Sequence, residues 1–328
     1  MNNKLPNLVI CTIGGKKFGF GHISRMIPIY DVFIAHSRTA KFLIHGDNEV
    51  FSILDQRNVE LVNWMELDTF NFNNNDIIII DTLTPPIAII EKLNNKGNRV
   101  FYVSDEIATK FWHFNVINWR VGAQDLKVNN GLYGEKFVPL RKELFDAKRK
   151  KSPNSPAANT RVFISMGASD TLNLIAKTVE IIKNNFFSHY KLILVVRKFH
   201  KDFQNIVKMK DECVEILIDP SVKELFEALI KCDLAIASGG HSIFEFAYLG
   251  IPVIHVRLSD NQEPAKCWDE TGFTFPVGLY QKNSYEKKII QGLIYFTPNK
   301  LQEASIIGQK LIDGNGAERI FRNLLNLK

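Results

Sequence analysis

Short runs of β-branched and aliphatic residues alternate with stretches of helical spacing along almost the whole chain. Residues 77–80, for example, are all isoleucine, which is typical of a parallel strand whose sheet is covered by helices on both faces. In the first half, such runs predict strands at Leu8–Thr12, Lys41–His45, Val59–Asn63, Asp76–Asp81, Arg99–Ser104 and Asn115–Trp119. The segments between them predict helices at His22–Ala35, Glu49–Arg57 and Pro86–Asn95.

The same alternation restarts in the second half of the chain. It predicts strands at Arg161–Ser165, Lys191–Val196, Val214–Ile218, Leu234–Ala237 and Val253–His255. It predicts helices at Thr171–Asn185, Val222–Lys231, Ser242–Leu249 and Gln262–Thr271, then at Lys287–Phe296, Lys300–Leu311 and Ala317–Leu325. The fold class is therefore α/β, with two Rossmann-like domains whose parallel sheets are expected to face each other across a cleft.

A stretch rich in Lys, Ser and Pro separates the two halves. Residues 148–159 read KRKKSPNSPAAN and show no apolar period, as is typical of an exposed linker. We therefore predict an N-terminal domain at residues 1–150, a linker at 151–160 and a C-terminal domain at 161–328. The last helix is a candidate to pack back on the N-terminal domain.

Composition narrows the class of protein. The 328 residues are 45% hydrophobic and 23% charged, which is typical of a soluble globular chain. The net charge of +6 is modest for this length, and by itself it fits an anionic small ligand as well as a nucleic acid. We expect no nucleic-acid partner. The apolar runs are too short to span a bilayer and no signal peptide is recognisable, so we expect no membrane insertion and a cytoplasmic location. We expect a monomer or a weak homodimer.

A strand, two glycines and a helix start follow one another at Ser238–Ser242. Gly239 and Gly240 permit a tight turn and a close approach by a ligand, and the N–H groups of a helix start suit a diphosphate. Glu245, one turn into the helix, is placed to accept hydrogen bonds from two ribose hydroxyls. The alternative is an ordinary strand–turn–helix in which Ser242 caps the helix.

A second glycine-rich turn opens the first predicted helix. Residues 14–25 read GGKKFGFGHISR, which lacks both the Gly-Lys-Ser/Thr end of a P-loop and the acidic residue of a dinucleotide site. His22 stands at the helix N-terminus, where the dipole disfavours the cationic imidazole, as a general base requires. The alternative is a histidine that caps its own helix. Arg25, one turn on, is placed to contact an anion or to pair with an acid.

Polar turns follow other strands of the second domain. Asn261 and Gln262 carry carboxamides that suit sugar hydroxyls or phosphate, although residues at such a turn also cap helices. Gly167 and Asp170 belong to a small-residue turn that follows the first strand of this domain. All of these turns are expected at the carboxyl edge of the second sheet.

Carboxylates also end two strands of the first domain. Asp81 and Asp105 are expected to point toward the cleft, but their spacing does not place two carboxylates across a glycosidic bond. The four cysteines lack the spacing of zinc ligands, and no His/Cys/Asp cluster suits a metal. We therefore expect neither a metal nor a cofactor.

The ordered series of short motifs resembles a known family. The motifs are GFGHISR at 19–25, GEKFVPLRKEL at 134–144, SMGASD at 165–170, ASGGHSIFE at 237–245, DNQ at 260–262 and DGNGAERI at 313–320. Together they resemble the UDP-2,4-diacetamido-2,4,6-trideoxy-β-L-altropyranose hydrolases of pseudaminic acid biosynthesis (PseG type). That family shares the GT-B fold with the glycosyltransferase that makes lipid II, and the resemblance covers nearly the whole chain.

The resemblance implies the metal-independent hydrolysis of a UDP-activated amino-sugar to free sugar and UDP. His22 would activate the water, the 239–242 turn would hold the diphosphate, and Glu245 would bind the ribose. The catalytic residue is thus predicted to be His22, and the substrate-binding residues Gly21, Arg25, Asp81, Gly167, Asp170, Ser238, Gly239, Gly240, His241, Ser242, Glu245, Asn261 and Gln262.

Two other functions stay open. An inverting GT-B glycosyltransferase would use the same hold on UDP but would deprotonate an acceptor hydroxyl in place of water. A non-catalytic nucleotide-sugar-binding protein would need the turn but not His22. The chain departs from the family pattern at Cys11–Gly15, Leu83 and Ala168, which bear on the sugar and on the reaction and not on the nucleotide.

Overall fold

The computed structural model describes residues 7–66, 72–73, 75–84, 86–105, 114–126, 131–146, 160–167, 170–186 and 189–326. The chain divides into two compact units, the first comprising Met1–Arg141 and Gly314–Lys328 and the second Lys142–Asp313. Of the predicted linker at 151–160, all but Thr160 lies outside the described residues.

Two parallel sheets organise the described part of the chain. Its strands are β1 Leu8–Gly14, β2 Ala40–Gly46, β3 Val59–Leu61, β4 Ile77–Asp81, β5 Arg99–Val103, β6 Asn115–Asn118, β7 Gly131–Tyr133, β8 Thr160–Ser165, β9 Tyr190–Val196, β10 Val214–Ile218, β11 Leu234–Ser238, β12 Val253–Arg257 and β13 Thr274–Leu279. In the first unit their order is β3-β2-β1-β4-β5-β6-β7, and in the second it is β10-β9-β8-β11-β12-β13. Two Rossmann-like α/β units were predicted, and this prediction is confirmed.

Helices connect the strands, as parallel pairing requires. Within the described residues the α-helices are α1 Gly21–Ala35, α2 Phe51–Leu54, α3 Ile87–Asn95, α4 Glu143–Asp146, α5 Leu174–Asn185, α6 Phe203–Lys208, α7 Val222–Leu229, α8 Ser242–Leu249, α9 Tyr285–Tyr295, α10 Pro298–Leu311 and α11 Gly316–Asn326. Short 3₁₀ helices lie at Asn48–Val50, Ala123–Leu126, Glu135–Phe137 and Asp260–Trp268. None of these helices is both long and apolar enough to cross a membrane.

The central strands are buried along their whole length. Every residue of β1 and β4 is buried in the first unit, and so is every residue of β11 in the second. Continuous burial explains why these segments are apolar at nearly every position instead of alternating. It also brings the last residues of neighbouring strands to one edge of each sheet, because β1 pairs in parallel with β4 and β11 pairs in parallel with β8.

Some predicted elements differ from the observed ones. The helix predicted at Gln262–Thr271 is a 3₁₀ helix at Asp260–Trp268 that contains Pro264, whose ring disfavours regular α-helical pairing. Strand β13 was not predicted because Pro276 and Gly278 interrupt it. It tolerates both residues as an edge strand, where the register with β12 shifts by one residue.

Helix α11 belongs to the first unit although it ends the chain. The ring of Phe321 packs edge-on against Phe33 of α1 at 4.9 Å, and His36 Nε2 lies 3.0 Å from Glu318 Oε2. A Cβ on Gly316 would lie 2.0 Å from the Val138 carbonyl oxygen, so only glycine permits this close approach. The boundary between the units falls at Arg141 and not at residue 150.

Candidate functional site

The loop between β1 and α1 is a narrow glycine turn that leads directly to His22. Gly15 and Gly19 exchange two backbone hydrogen bonds of 3.0 and 2.8 Å. Gly15 has φ +114°, and a Cβ there would lie 2.4 Å from a carboxylate oxygen of Asp47, so this position requires glycine. The Asp47 carboxylate also accepts a 2.8 Å hydrogen bond from the Lys16 N–H, which fixes the turn against the end of β2.

His22 and Asp81 form a pair at the carboxyl edge of the first sheet. His22 is the second residue of α1, and Asp81 ends β4, the strand next to β1. The His22 Nδ1 atom lies 2.8 Å from Asp81 Oδ1. The Asp81 backbone is fixed in turn, because its carbonyl accepts a 2.9 Å hydrogen bond from the Thr12 hydroxyl. An ionised Asp81 can only accept, so Nδ1 donates, and Nε2 is the basic nitrogen.

Arg25 holds Asp81 through two hydrogen bonds. Its Nε donates to Asp81 Oδ2 at 2.7 Å, and its Nη2 donates to Oδ1. Its Nη1 donates to the carboxylate of Asp105, and the Trp119 ring lies 5.4 Å from Cζ. Burial alone would raise the pKa of Asp81, but the charges of Arg25 and His22 and their hydrogen bonds outweigh it and hold this pKa far below its ordinary value.

The structure therefore brings together three of the residues predicted from the first domain. His22, Arg25 and Asp81 lie in one hydrogen-bonded network, in which Arg25 and Asp81 support the histidine. A Cβ on Gly21 would meet nothing within 4 Å, so close packing by the described residues does not require this glycine. Asp105, which was not among the predicted site residues, joins the network from the end of β5.

The 238–242 turn occupies the corresponding edge of the second sheet. The N–H groups of the two glycines are used within the protein, because Gly239 donates to the Val256 carbonyl at 2.9 Å and Gly240 to the Ser238 carbonyl at 2.8 Å. A Cβ on Gly239 would lie 2.9 Å from the Ala265 Cβ, whereas one on Gly240 would meet none of the described residues within 4 Å. The side of the turn at Gly240 is therefore open, and α8 begins two residues later.

Two other predicted residues lie beside this turn. A Cβ on Gly167, where φ is +81°, would lie 3.7 Å from Ser238 Oγ, so the loop after β8 approaches the end of β11. Gln262 Oε1 would lie 3.6 Å from a Cβ on Gly239, and it accepts a 2.8 Å hydrogen bond from the Leu258 N–H. The side chain of Asn261 lies outside the described part of the structure.

Asp170 and Glu245 are both buried near the start of a helix. Both oxygens of the Asp170 carboxylate accept hydrogen bonds from the start of α5, from Leu174 N at 2.8 Å and Ile175 N at 2.9 Å. Asp170 is thus a helix-capping residue in this structure, which is a role that the predicted substrate contact did not anticipate. Glu245 is 6% exposed on the first turn of α8. His241 precedes that helix, and its ring lies 5.3 Å from the ring of Phe244.

A second hydrogen-bonded His–Asp pair lies in the second unit and was not predicted. His255 in β12 is buried, and its Nε2 lies 3.0 Å from Asp269 Oδ1. Burial, together with the nearby charge of Arg257, lowers the pKa of His255 to about 4. The neutral imidazole therefore donates its Nε2–H to Asp269. Within the described residues, no group of His, Cys, Asp and Glu side chains could hold a metal ion.

The two parallel-sheet units and their carboxyl-edge turns define a GT-B, glycosyltransferase-like fold. MurG from Acinetobacter baumannii matches with a TM-score of 0.65 and 12% identity over 98% of this chain and 100% of its own. The complex of Staphylococcus aureus MnaA with UDP also matches with a TM-score of 0.65, at 12% identity over 98% of each chain.

Curated sequences are also similar to this chain, at low sequence identity. An uncharacterized protein of Methanocaldococcus jannaschii is 24% identical over 288 residues, which are 80% of this chain but 57% of that protein. The chain thus spans a little over half the length of this relative. The spore coat polysaccharide biosynthesis protein SpsG of Bacillus subtilis is 21% identical over 96% of both chains. No protein-family model matches the sequence.

Proposed function

We propose that this protein is an inverting glycosyltransferase of GT-B fold that uses a UDP-sugar donor. One observation carries the proposal: His22 pairs through Nδ1 with a buried Asp81, which leaves Nε2 as the basic nitrogen at a sheet edge where α/β folds bind ligands. Similarity to a complex of MnaA with UDP supports a UDP-sugar as the donor. Similarity to a spore coat polysaccharide biosynthesis protein supports a role in glycan assembly.

The proposed chemistry is a single displacement at the anomeric carbon. The Nε2 atom of His22 accepts the proton of an acceptor hydroxyl while the oxygen of that hydroxyl forms a bond to the anomeric carbon. The bond between the anomeric carbon and the β-phosphate oxygen breaks, and its electron pair leaves with UDP. The Asp81 carboxylate stabilises the imidazolium that forms on His22 and keeps the ring oriented.

The nucleotide is assigned to the 238–242 turn of the second unit. The glycine at 240 has open space where a side chain would stand, and the start of α8 offers a positive dipole end to a diphosphate. Because the N–H groups of Gly239 and Gly240 already have partners, the diphosphate contacts are assigned to the backbone and hydroxyl of Ser242. Glu245 keeps its proposed role at the ribose.

Hydrolysis is a second candidate, in which water replaces the acceptor. The ordered motif series from GFGHISR to DGNGAERI supports it, because this series resembles that of the UDP-2,4-diacetamido-2,4,6-trideoxy-β-L-altropyranose hydrolases. The same His22–Asp81 pair would activate the water, so the geometry of the base serves both reactions. The two reactions differ in the product and not in the base.

A binding experiment tests the nucleotide site independently of turnover. Isothermal titration should show UDP binding by the wild type and a loss of about tenfold or more in Ser242→Ala, as expected for one or two hydrogen bonds to a charged group. Ser284→Ala is the matched control, because Ser284 lies immediately before another helix of the second unit, α9, and its side chain does not cap that helix. Equal affinities in all three proteins would exclude the assigned site.

A substrate panel tests the reaction. Purified protein is incubated with UDP-sugars, with and without candidate glycan acceptors, and products are identified by mass spectrometry. Glycosylated acceptor together with UDP would support transfer, and free sugar released at the same rate without acceptor would establish hydrolysis in its place. UDP binding without either product would instead indicate a non-catalytic nucleotide-sugar-binding protein.

A further inference from the structure

The network around His22 contains one more carboxylate than the His22–Asp81 pair needs. Arg25 contacts both Asp81 and Asp105, so one guanidinium is shared by two carboxylates. Arg25 is 11% exposed and Asp81 is fully buried, so their charges interact with little screening by water. Burial opposes the charge on Arg25, but the two carboxylates outweigh this effect and raise its pKa.

The charges can be counted for the two states of His22. With a neutral imidazole, two carboxylates and one guanidinium leave the network with a net charge of about −1. Protonation of Nε2 brings the network to neutrality. Without the charge of Asp105, the Asp81–Arg25 pair would already be neutral, and protonation of His22 would create an uncompensated positive charge. The second carboxylate therefore favours the imidazolium.

We infer that Asp105 is a positioning residue that acts on His22 through Arg25. Its charge balances the guanidinium, so that the charge of Asp81 remains effective at the imidazole when His22 takes up a proton. Arg25 in turn fixes both oxygens of Asp81, which fixes the direction of the Nδ1–H bond. The catalytic meaning of this inference rests on the proposed function, whereas its electrostatic content does not.

None of the other described groups considered around the network supplies a negative charge that could replace that of Asp105. The Tyr102 hydroxyl donates to the Thr82 carbonyl, and burial followed by the charge of Asp81 raises its pKa, so it stays neutral. The ring of Trp119 lies against Arg25 and is uncharged. The Nη1 atom of Arg120 lies 3.5 Å from the backbone carbonyl of Asp105, and its charge makes the network about neutral with an uncharged imidazole and about +1 with an imidazolium. Loss of the Asp105 charge would raise the latter to about +2, so the Asp105 carboxylate favours the imidazolium with Arg120 included.

A substrate-free titration tests the inference. The protein contains eight histidines, and the imidazole signals of isotope-labelled protein can be followed by NMR, with the His22 signal assigned by its loss in His22→Gln. In Asp105→Asn, the pH at which His22 is half protonated should be lower than in the wild type, because a negative charge near the imidazolium has been removed. Asp105 is 34% exposed, so this variant is expected to fold.

Two further variants distinguish an effect of the Asp105 charge from a structural effect of the substitution. Asp105→Glu keeps the carboxylate and should return the His22 midpoint toward the wild-type value. Asp31→Asn is the matched control, because it breaks a comparable Asp–Arg pair with Arg57 on the same unit and should leave the His22 midpoint unchanged. The acidic limb of the pH–activity profile should move with the midpoint in Asp105→Asn.

The inference is overturned if the His22 midpoint in Asp105→Asn equals that of the wild type. It is also overturned if Asp105→Glu shifts the midpoint as far as Asp105→Asn does, because the effect would then be steric. A wild-type protein without transferase or hydrolase activity would refute the proposed function, yet the NMR titration would still decide the role of Asp105.

Discussion

Each unit of this protein contains a histidine that hydrogen-bonds to an aspartate side chain, and these two pairs, His22–Asp81 and His255–Asp269, have opposite burial. In the first unit, His22 is 14% exposed and its partner Asp81 is fully buried. In the second unit, His255 is 1% exposed and its partner Asp269 is 32% exposed. The N–O distances are nearly equal, 2.8 Å and 3.0 Å.

The two pairs differ in whether the buried partner is charged: the buried partner is an ionised aspartate in the first pair and a neutral histidine in the second. The buried Asp81 stays ionised because Arg25 compensates its charge, and an ionised carboxylate beside an imidazole stabilises the cation that base catalysis produces. The buried His255 is held neutral, with its pKa lowered to about 4 by burial and by the charge of Arg257, and it donates one hydrogen bond to Asp269. A short His–Asp distance is therefore not sufficient evidence for a base. The burial of each partner and its compensating charges decide the chemistry.

The largest expected effect is on turnover. His22→Gln should lower kcat/KM by about 10²–10⁴-fold, the usual contribution of a general base, while the affinity for UDP stays the same. His255→Gln should retain most of the activity. Both are measured by UDP release from the active UDP-sugar identified by the panel. Comparable losses in the two variants would contradict the distinction between the pairs.

The next effect is on stability. Asp81→Asn leaves Arg25 without its buried partner and should lower the free energy of unfolding by about 3–5 kcal/mol. Asp269→Asn changes a partly exposed carboxylate and should cost about 1 kcal/mol or less. Urea unfolding at pH 7, with hydrogen exchange to assign the loss to β1 and β4 or to β12, measures both.

The acid dependence of the Asp81 effect has a defined sign. The pKa of Asp81 is lower in the folded than in the unfolded protein, so its stabilisation is fully present above an ordinary aspartate pKa of about 3.9. The stabilisation is lost as the pH falls below that value. The difference between wild type and Asp81→Asn should therefore not become smaller between neutral pH and about pH 4. A difference that shrinks already near pH 6 would contradict the assignment.

The sequence predicted the elements that carry these residues, but it did not predict the contacts between the residues. The strand positions and His22 at the start of α1 follow from local patterns, because glycine turns and apolar runs are local signals. The contact of His22 with Asp81 depends on the pairing of β1 with β4, which are far apart in the chain. Asp105 lies two residues after the end of β5, and the sequence already placed it at the end of a strand beside Asp81, but its contact with Arg25 could not be read from local patterns.

Other features of the structure could not be predicted from the sequence, and each has a physical reason. Small-residue turns gave no sign that the amides of Gly239 and Gly240 would be used by the protein itself, because their acceptors are the carbonyls of Val256 and Ser238. The ligand contact of Asp170 stays a prediction, and the structure adds that its carboxylate caps α5, a common role of aspartate before a helix. His255 gave no signal, because a histidine within an apolar strand has no distinctive pattern.

The smallest expected effect concerns the acid stability of the second unit. The pKa of His255 is about 4 in the folded protein and about 6.5 when unfolded, so between these values the unfolded chain binds a proton that the folded protein does not. The second unit should therefore lose about 2–3 kcal/mol of stability as the pH falls from 6.5 to 4. His255→Gln should remove this slope, and hydrogen exchange of β12 amides across the pH range measures it.

Because the Asp81 contribution is lost only below about pH 4, the second unit should weaken first on acidification. A simultaneous loss in both units would mean that His255 is not held neutral and that the two pairs are more alike than their burial indicates.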